Sequence, residues 1–547
     1  MKRIWKPKIQ HSPDILTQLL RGRGVMSDEA AEEFLHPQYE RSHDPNLLLD
    51  MDKAVARVRK AIISGEQITI YADYDADAVT AAAVLLRYFQ KIGHSKADYY
   101  IPDRDSEGYG MNVEAVKMLA ERGTKLIITV DCGINAVDAI DLATYLGMDA
   151  VVTDHHLPTG PLPRAAAVVN PHREGDVYPF KDLTGVGVAF KLVQALVGAA
   201  QQGWEKWLLD LVAIGTVADC QSLLGENRIF VKWGLSVLQK TKWPGLRGLM
   251  KTAQIEAPHD TYQVGFMIAP RLNAAGRIEH AGLALELLLT DDQARAAALA
   301  EKLNELNAHR QQLTETVLSE AREQLAPRRE QKILLAAGAD WPKGIVGLVA
   351  GKLTEEYYRP VLVLQRGAEE AVGSARSIAN FNIVEAISQS RAILLRYGGH
   401  AQAAGFTLHP DHIELFHKNL LLYADSVLSE DDLSPVLLYE MEVALADVRP
   451  EFLDILEQFA PFGVGNPRPR FRLNDIEPRF PAAIGKEGKH LRFYAGDFGC
   501  IAFNMGFWAE KLKSGGKIDI ICEPQYNDWN GSRKIQLKIV DMEISGN

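Results

Sequence analysis

The chain has 547 residues, of which 47% are hydrophobic and 24% are charged, and this composition is typical of a multidomain globular protein rather than a disordered one. Its formal net charge of −11 argues against a protein that coats nucleic acid non-specifically, because attraction to phosphate is the main source of such binding. The four cysteines are scattered and form no C-x-x-C pair, so we expect no disulfides. The sequence has no run of about 18 apolar residues and no signal peptide, so we expect a cytoplasmic protein without membrane segments.

After an N-terminal segment of residues 1–45, a first domain is predicted at residues 46–289, in which helix-like stretches alternate with short β-branched runs. Alternation of this kind is typical of a parallel β-sheet with crossover helices. The runs are QITIYADYD, KLIITVDCG, DAVVTDHH and AAAVVNPH. Three of them end in an acid or a histidine, and the ligand crevice of an open parallel sheet lies outside the carboxyl ends of its strands. We therefore predict that these polar residues converge at one edge of the sheet.

A long helix is predicted to connect this domain to a second one. Residues 290–327 carry leucine and valine at helical spacing after a capping Thr290 or Asp291, and at about 1.5 Å per residue the helix would be on the order of 50 Å long. A second, smaller α/β domain of residues 328–427 follows, from KILLAAGAD through RPVLVLQ to the glycine-rich GGHAQAAGF.

Residues 428–547 are predicted to form a small β-barrel. Their segments are short and strand-like, as in FRLNDIEPRF, KHLRFYAGD and KIQLKIVDMEI, and such a series favours an oligonucleotide-binding (OB) fold. Arg468 and Arg470 interleave with Phe471, Phe480 and Phe493, an arrangement that suits base stacking above a phosphate track. Aromatic residues that alternate in strands are more often core residues, so a core position is the favoured interpretation for each phenylalanine and base stacking is the alternative.

The densest chemical signal is YADYDADAVT, which places Asp73, Asp75 and Asp77 at alternate positions directly after a strand. Carboxylates so close to one another repel unless a cation compensates their charge, and oxygen-rich clusters suit Mg²⁺ or Mn²⁺. A solvated acidic loop is the alternative for this triplet taken alone.

Further acids and two histidines follow at other strand and helix ends. Asp131 ends the strand of TVDCG, and Asp154, His155 and His156 follow that of VVTDHHLP. Imidazole and carboxylate together form a natural ligand set for Mn²⁺ or Zn²⁺, although adjacent histidines also cap helices or pack in cores. Asp219 follows the apolar run of LVAIGTVADC, where an acid is expected to be exposed or paired.

Taken in order, D-x-D-x-D, V-D-C-G, D-H-H and G-T-V-A-D resemble the four motifs of the DHH phosphoesterases. Further segments are similar to those of the RecJ-type exonucleases within that family: IPDRDSEGYG, LTGVGVAFK, PRLNAAGRI, GSARSI, RYGGHAQAAGF and PFGVGNPRPRF. The resemblance covers essentially the whole chain. It implies a DHH catalytic domain at 46–289, a DHH-associated, substrate-binding domain at 328–427 and an OB-like nucleic-acid-binding barrel at 428–547.

The resemblance also implies a catalytic site that holds two Mn²⁺ or Mg²⁺ ions. Two such cations activate a bridging water for attack on phosphorus and stabilise the leaving oxygen. The implied ligands are Asp75, Asp77, Asp131, His155 and Asp219, with Asp131 bridging. Asp73 is implied either as a ligand or as a residue behind the ligands. Asp154 is implied to orient a histidine, and His156 to contact the scissile phosphate.

An enzyme that recognises a 5′ end needs guanidinium groups and hydroxyls that hold a terminal phosphate. The resemblance points to Arg104, Ser374 and Arg376 for that role, and to Arg277 near the reacting phosphate. Each arginine could equally form a surface ion pair. His400 and its small neighbours in GGHAQAAGF are expected to let a DNA backbone approach closely, with a tight turn as the alternative.

These implications favour an exonuclease that hydrolyses single-stranded DNA from its 5′ end to 5′-mononucleotides, in DNA repair and recombination. The expected partners are single-stranded DNA, a single-stranded-DNA-binding protein and a helicase, and a monomer is expected. The alternatives are a DHH hydrolase of short oligonucleotides or cyclic dinucleotides, and an inactive DHH scaffold in a DNA-processing assembly.

Three features depart from the family pattern. Ala78 stands where members usually have glycine, and if this position needs a positive φ, the methyl group would strain it and reduce activity. Pro342 stands where a histidine is common, which weakens the transfer of substrate contacts to ADWPKGIVG. The chain also ends soon after the β-domain, so we expect it to lack the carboxy-terminal partner-binding region of longer relatives.

Overall fold

The computed structural model describes residues 3–8, 14–104, 106–108, 110–198, 203–256, 260–529 and 532–546, so Asp105 and Tyr109 of IPDRDSEGYG lie outside the described residues. Within these ranges the strands are β1 (Ile4–Pro7), β2 (Ile68–Ala72), β3 (Ala97–Tyr100), β4 (Leu126–Val130), β5 (Asp149–Thr153), β6 (Ala167–Val169), β7 (Leu334–Gly338), β8 (Val361–Arg366), β9 (Ala371–Arg376), β10 (Leu394–His400), β11 (Ala403–Leu408), β12 (Val436–Tyr439), β13 (Met441–Glu442), β14 (Phe471–Ile476), β15 (Pro478–Ile484), β16 (His490–Ala495), β17 (Phe498–Ala502), β18 (Ile518–Trp529) and β19 (Ser532–Ile544).

The α-helices of the same ranges are α1 (Ile15–Arg21), α2 (Asp28–Leu35), α3 (Met51–Ser64), α4 (Ala76–Lys91), α5 (Val113–Glu121), α6 (Val137–Tyr145), α7 (Gly185–Val197), α8 (Leu209–Ala218), α9 (Gly225–Leu238), α10 (Pro244–Thr252), α11 (Thr261–Gln263), α12 (Ala269–Ile278), α13 (Gly282–Leu289), α14 (Gln293–Leu325), α15 (Lys343–Tyr357), α16 (Ile383–Ser388), α17 (Ile413–Val427), α18 (Pro450–Glu457) and α19 (Trp508–Lys513). The described residues form two compact units, one within 1–42, 222–232 and 436–547, the other within 43–221 and 233–435.

The larger unit contains a parallel five-stranded sheet with the strand order β3-β2-β4-β5-β6. All residues of β2 and β4 are buried, which agrees with their β-branched, apolar sequences, since strands covered on both faces are continuously apolar. Four of the five strands are the predicted runs. The edge strand β3 was missed because its sequence ADYY is only half-buried and gives no apolar run.

The predicted connector is present as α14, whose 33 residues give a length of about 50 Å. The predicted cap was wrong by one or two positions, because Asp292 caps the helix by accepting hydrogen bonds from the backbone of Ala294 and Arg295 at 2.7 and 3.0 Å. Helix α14 packs on α10, α12, α13 and α15, and its last part shares an apolar cluster with α15. No described helix is both long and apolar enough to span a lipid bilayer.

Beyond α14, a second five-stranded sheet has the order β10-β11-β9-β8-β7. Only β7 and β8 pair in parallel, and the other neighbours are antiparallel. GGHAQAAGF forms the end of an antiparallel hairpin, in which the two-residue turn of Ala401 and Gln402 joins β10 to β11. The alternative interpretation of this segment as a tight turn is therefore confirmed. Gly399 in this hairpin has a φ of +138°, which favours glycine.

The smaller unit is built around a seven-stranded sheet with the order β13-β14-β18-β19-β17-β16-β15. Its apolar core also takes in Leu19 and Phe34 from the start of the chain, and β1 pairs in parallel with β12. The buried guanidinium of Arg228 donates to the backbone carbonyls of Phe34 and Phe459 at 2.7 and 2.9 Å. Together, the two units confirm the predicted fold class, an α/β fold with a parallel sheet, a long connecting helix, a second α/β domain and an OB-like β-domain.

Candidate metal centre

The strands β2, β4 and β5 end side by side, because Ala72 pairs with Val130 and Val130 pairs with Thr153 in parallel register. The next residues along the chain, Asp73, Asp131 and Asp154, therefore leave the sheet at one edge. The convergence predicted from the sequence is present in the structure.

Two overlapping groups of side chains at this edge have ligand atoms within 4.8 Å of one another. One group is Asp131, His155 and His156, and the other is Asp77, His155 and Asp219. The Nε2 atom of His155 lies 3.1 Å from Asp131 Oδ1 and 3.8 Å from Asp219 Oδ2. The structure thus brings five of the predicted site residues together. Asp73 and Asp75 lie on the adjoining turn, outside these two groups.

The first turn of α4 and the start of α7 position Asp77. Asp75 caps α4 by accepting a 3.0 Å hydrogen bond from the backbone N–H of Ala78, and this places Asp77 in the first helical turn. The carboxylate of Asp77 then accepts hydrogen bonds from the backbone N–H groups of Gly185 and Val186 at 2.7 and 2.9 Å. Helix N-termini stabilise negative charge in this way.

Ala78 has a helical backbone conformation within α4 and is absent from the residues with positive φ. The strain considered for this substitution does not occur, because an L-residue fits a right-handed helix. A different residue at the site carries the unusual backbone: Asp131 has a φ of +57°, a conformation that clusters at functional positions in non-glycine residues.

Burial and mutual repulsion raise the pKa values of the clustered carboxyl groups. Burial, then the charges of Asp219 and Asp75, raises the pKa of Asp77 well above its usual value. Burial and the charges of Asp77, Asp75 and Asp219 do the same to the pKa of Asp131. The pKa of Asp219 rises to about 7 through burial and Asp75, and burial and Asp75 raise that of Asp73 to about 8.

The two histidines have opposite electrostatic environments. Burial and the neighbouring His156 lower the pKa of His155 to about 4, so its imidazole is neutral at physiological pH and has a lone pair to offer. Although burial opposes it, a 2.8 Å hydrogen bond between His156 Nδ1 and Asp154 Oδ1, with the charge of Asp154, raises the pKa of His156 to about 9. Asp154 is held in turn by the backbone N–H of Ile134 at 2.9 Å.

These residues fit a pair of divalent cations. The oxygen atoms Asp73 Oδ1, Asp131 Oδ1 and Asp219 Oδ2 are buried, and none accepts a hydrogen bond from the described residues; the nitrogen that lies 3.1 Å from Asp131 Oδ1, His155 Nε2, is close but not hydrogen-bonded to it. Unsatisfied buried acceptors of this kind are costly, and a bound cation would remove both this cost and the repulsion among the carboxylates. Carboxylate and imidazole donors suit Mn²⁺ and, with more oxygen ligands, Mg²⁺.

Sequence reasoning missed two glycines that let the ligands approach one another. A Cβ atom on Gly185 would lie 2.5 Å from Asp131 Cβ, and one on Gly215 would lie 2.8 Å from Asp77 Oδ1 and 2.3 Å from Thr80 Oγ1. Both glycines are in segments noted above, LTGVGVAFK and LVAIGTVADC. The available signal was their position within otherwise apolar helical sequences. A glycine lowers the stability of a helix, so its presence there indicates that a neighbouring segment packs too closely for a larger residue.

Among the predicted arginines, Arg104 lines a cavity of about 880 Å³, together with Tyr74 and Lys343 among others. The Arg104 guanidinium stacks 3.9 Å above the ring of Tyr74 and donates to the carbonyl of Gly276 at 2.9 Å. Arg376 donates to Ser374 Oγ at 2.9 Å, so the structure brings this predicted pair together.

Arg277 donates to the carbonyl of Gly344 at 3.0 Å, at the start of α15. A Cβ on Gly347, one turn further along α15, would lie 3.1 Å from Ser374 Oγ and 3.3 Å from Arg376 Nη2. The first turn of α15 therefore lies between Arg277 and the Ser374–Arg376 pair. Pro342, which precedes this turn, makes no side-chain capping bond.

His400 is exposed at the end of β10, where it lines a second cavity, of about 470 Å³, together with Gly133, Asp154 and His156. The β10–β11 hairpin thus faces the carboxyl edge of the parallel sheet within the same unit. This cavity therefore lies on the side of the candidate metal centre that carries His156.

In the smaller unit, the predicted arginines are engaged in ion pairs. Arg468 lies 3.7 Å from Glu457, and Arg470 lies 3.1 Å from Glu523. Phe471 and Phe493 are fully buried core residues, whereas Phe480 is 76% exposed. The interpretation as core was right for two of the three phenylalanines, and only Phe480 offers a free face for stacking.

Comparisons with known proteins match three stretches of the chain to described families. Residues 67–216 match the family described as "DHH family, N-terminal domain", residues 330–424 match the "DHHA1 domain", and residues 439–541 match the "RecJ OB domain". The metal-centre residues on β2, β4, β5 and their adjoining turns lie within the first match, and Asp219 follows three residues after it.

The chain is 40% identical to the "Single-stranded-DNA-specific exonuclease RecJ" of Bacillus subtilis (strain 168), with 98% of this chain and 68% of that protein covered. The crystal structure of RecJ from Thermus thermophilus in complex with Mn²⁺ is similar, with a TM-score of 0.85, 31% identity and coverage of 97% of this chain and 76% of that one. The structure of the same protein in complex with Mg²⁺ gives a TM-score of 0.77, 29% identity, and coverage of 97% and 75%.

Proposed function

The chain belongs to the RecJ family of single-stranded-DNA-specific exonucleases, and on that basis we propose how its residues perform the reaction. It is a metal-dependent exonuclease that hydrolyses single-stranded DNA from the 5′ end to 5′-mononucleotides, with Mn²⁺ or Mg²⁺ as cofactor, in DNA repair and recombination. One observation carries this function: Asp77, Asp131, His155, His156 and Asp219 meet at the carboxyl edge of a parallel sheet.

Asp75, Asp77, Asp131, His155 and Asp219 would hold two cations, with Asp73 beside them. When bound, the cations supply a nucleophile from coordinated water and charge for the leaving oxygen. The neutral His155 belongs to both ligand groups, but an imidazole nitrogen has a single lone pair and cannot bridge. The carboxylate of Asp131, whose Oδ1 lies 3.1 Å from His155 Nε2, would therefore be the ligand that the two cations share.

His156 is proposed to contact the scissile phosphate. Its pKa of about 9 keeps it protonated at neutral pH, so it carries a positive charge that favours the negative charge developing on the phosphate in the transition state. Asp154 orients this imidazolium through the 2.8 Å hydrogen bond to Nδ1 and leaves Nε2 as a donor.

The 5′ phosphate is proposed to bind among Arg104, Ser374 and Arg376, with Arg277 closer to the reacting phosphate. Guanidinium groups hold phosphate through paired, charge-assisted hydrogen bonds. The stacking of Arg104 on Tyr74 and the bond of Arg376 to Ser374 fix both side chains before the strand arrives. A site that is already ordered loses less entropy on binding.

The decisive experiment uses a 5′-phosphorylated oligonucleotide with a 3′ fluorescent label. We expect Mn²⁺-dependent release of mononucleotides and progressive shortening from the 5′ end, and loss of both with Asp131→Asn. Release that starts at the 3′ end, or faster turnover of dinucleotides than of long strands, would contradict the proposal. An RNA strand of the same sequence serves as the specificity control.

The protein is further proposed to act as a cytoplasmic monomer on strands exposed by a helicase and covered by single-stranded-DNA-binding protein. A nuclease specific for single strands needs another activity to unwind duplex, which supports the helicase. The monomer is tested by light scattering, where a mass near 60.6 kDa is expected. A dimer mass at assay concentrations would overturn it. We also propose the domain bounds predicted from the sequence, which are 1–45, 46–289, 290–327, 328–427 and 428–547.

A further inference from the structure

An arginine outside the predicted phosphate site has an unusual environment. Arg310 lies on α14, and its Nε is buried without a hydrogen-bond partner among the described residues. No described carboxylate lies within ion-pair distance of it. One turn earlier on the same helix, Asn307 is 4% exposed, and its Oδ1 likewise has no partner in the described part of the chain. Residues three apart share a helix face, so this face of α14 is polar and unsatisfied.

Packing places Arg310 beside the proposed phosphate site. Ile278, which follows Arg277, packs on the same apolar cluster as Leu313, one turn after Arg310. Leu348 packs there too, and it follows Gly347, which faces Ser374 and Arg376. The segments that carry Arg277, Arg310 and the Ser374–Arg376 pair therefore converge on one apolar cluster.

Positive charges outnumber negative ones in this region, where three arginines and one carboxylate, that of Asp75, act on the pKa of Arg277. After burial, the charges of Arg104, Arg310 and Arg376 are among the causes that lower the pKa of Arg277 to about 10. None of the four arginines forms an ion pair with a carboxylate in the described ranges, although the chain as a whole has a net charge of −11. Buried like charges are stable together only when an opposite charge compensates them, so this cluster is built to receive an anion.

We propose that Arg310 is a fourth phosphate-binding residue of the 5′-end site, which it enters from the side of α14. The inference rests on the proposed function, because the anion it binds is the 5′-terminal phosphate of the strand. The Nε of Arg310 is buried, so the two outer nitrogens of its guanidinium are the groups that would donate to phosphate oxygens beside Arg277.

Measuring DNA binding in the absence of metal tests this inference independently of DNA hydrolysis. The affinity of the full chain for one oligonucleotide, either 5′-phosphorylated or with a 5′ hydroxyl, is measured in EDTA by fluorescence anisotropy. Arg310→Gln is expected to weaken binding of the phosphorylated strand by about tenfold to a hundredfold, the effect of one charge-assisted hydrogen bond, and to leave the hydroxyl strand unchanged. Arg310→Lys, which keeps the charge, should fall between.

The matched control is Arg295→Gln, on the same helix, where Arg295 is exposed and paired with Glu286 at 2.6 Å. It should leave both affinities unchanged. Equal loss on both strands with Arg310→Gln, or no loss on either, would overturn the role of Arg310. A wild-type protein that binds both strands equally would instead overturn the 5′-phosphate site itself, and with it this inference.

Discussion

Replacing Gly185 by alanine would press a methyl group against Asp131. The new Cβ would lie 2.5 Å from Asp131 Cβ and 2.7 Å from its Cγ, whereas carbon atoms in contact prefer about 3.5–4.0 Å. One of the two segments must therefore move by about 1 Å. Asp131 is buried at the end of β4, and Gly185 begins α7. A shift of the first segment would displace Asp131 itself. A shift of the second would displace Asp77, because the backbone N–H of Gly185 donates a hydrogen bond to its carboxylate.

A misplacement of about 1 Å costs on the order of a hundredfold in rate, which corresponds to about 2.7 kcal/mol of transition-state stabilisation. We expect Gly185→Ala to lower kcat/KM by this factor and to raise the Mn²⁺ concentration required for half-maximal activity. The assay is the release of mononucleotides over a Mn²⁺ titration. Gly351→Ala is the matched control, since a Cβ there meets nothing within 4 Å and alanine favours a helix. Wild-type activity and Mn²⁺ dependence in Gly185→Ala would refute the reasoning.

Three other predictions follow from the site and the β-domain. Asp131→Asn keeps the size and shape of the side chain, and asparagine tolerates the left-handed backbone conformation, so the protein should stay folded. The substitution should abolish high-affinity Mn²⁺ binding measured by calorimetry, and unchanged binding would contradict the role of Asp131 as a ligand. In the metal-free protein the pKa of Asp219 is raised to about 7, so between about pH 4 and pH 7 the folded state keeps a proton that the unfolded state has released. The contribution of this carboxyl group to the free energy of unfolding therefore falls as the pH rises through that range. The Tm advantage of Asp219→Asn over wild type should therefore grow from pH 5 to pH 8, and a constant difference would count against it. Phe480→Ala should weaken binding of a 20-nucleotide strand by roughly tenfold through a lost base stack, with Tyr145→Ala, 85% exposed in the other unit, as control; equal effects of the two changes would argue against stacking.

The sheet and the acidic cluster could be predicted because their signals are local. Each ligand strand is a short β-branched run, and Asp73, Asp131 and Asp154 directly follow such runs. A parallel sheet then brings the carboxyl ends together, whatever the separation in sequence. The predictions needed no knowledge of side-chain packing.

The ion pairs, the exposure of the aromatic residues and the close contacts of the glycines could not be predicted, because they depend on tertiary contacts that a single sequence does not show. Arg470 lies 3.1 Å from Glu523, 53 residues away, so its ion pair could not be foreseen. Phe480 has a φ of +53° within a bulged part of β15, which breaks the alternation that buries Phe471 and Phe493. Gly185 and Arg310 belong to ordinary helical sequences, and only tertiary packing shows what they face.

The smaller unit draws its core from segments at opposite ends of the chain, and this affects how it is made. During synthesis at about 5–20 residues per second, residues 14–42 leave the ribosome roughly 20–80 s before the strands of 436–547 that cover Leu19 and Phe34. These apolar side chains remain open to chaperones, or to aggregation, throughout that interval. A fragment that begins at residue 428 would also lack Arg228, and the carbonyl of Phe459 would lose this donor, so the recombinant β-domain should need the N-terminal segment and residues 222–232 supplied in the same polypeptide.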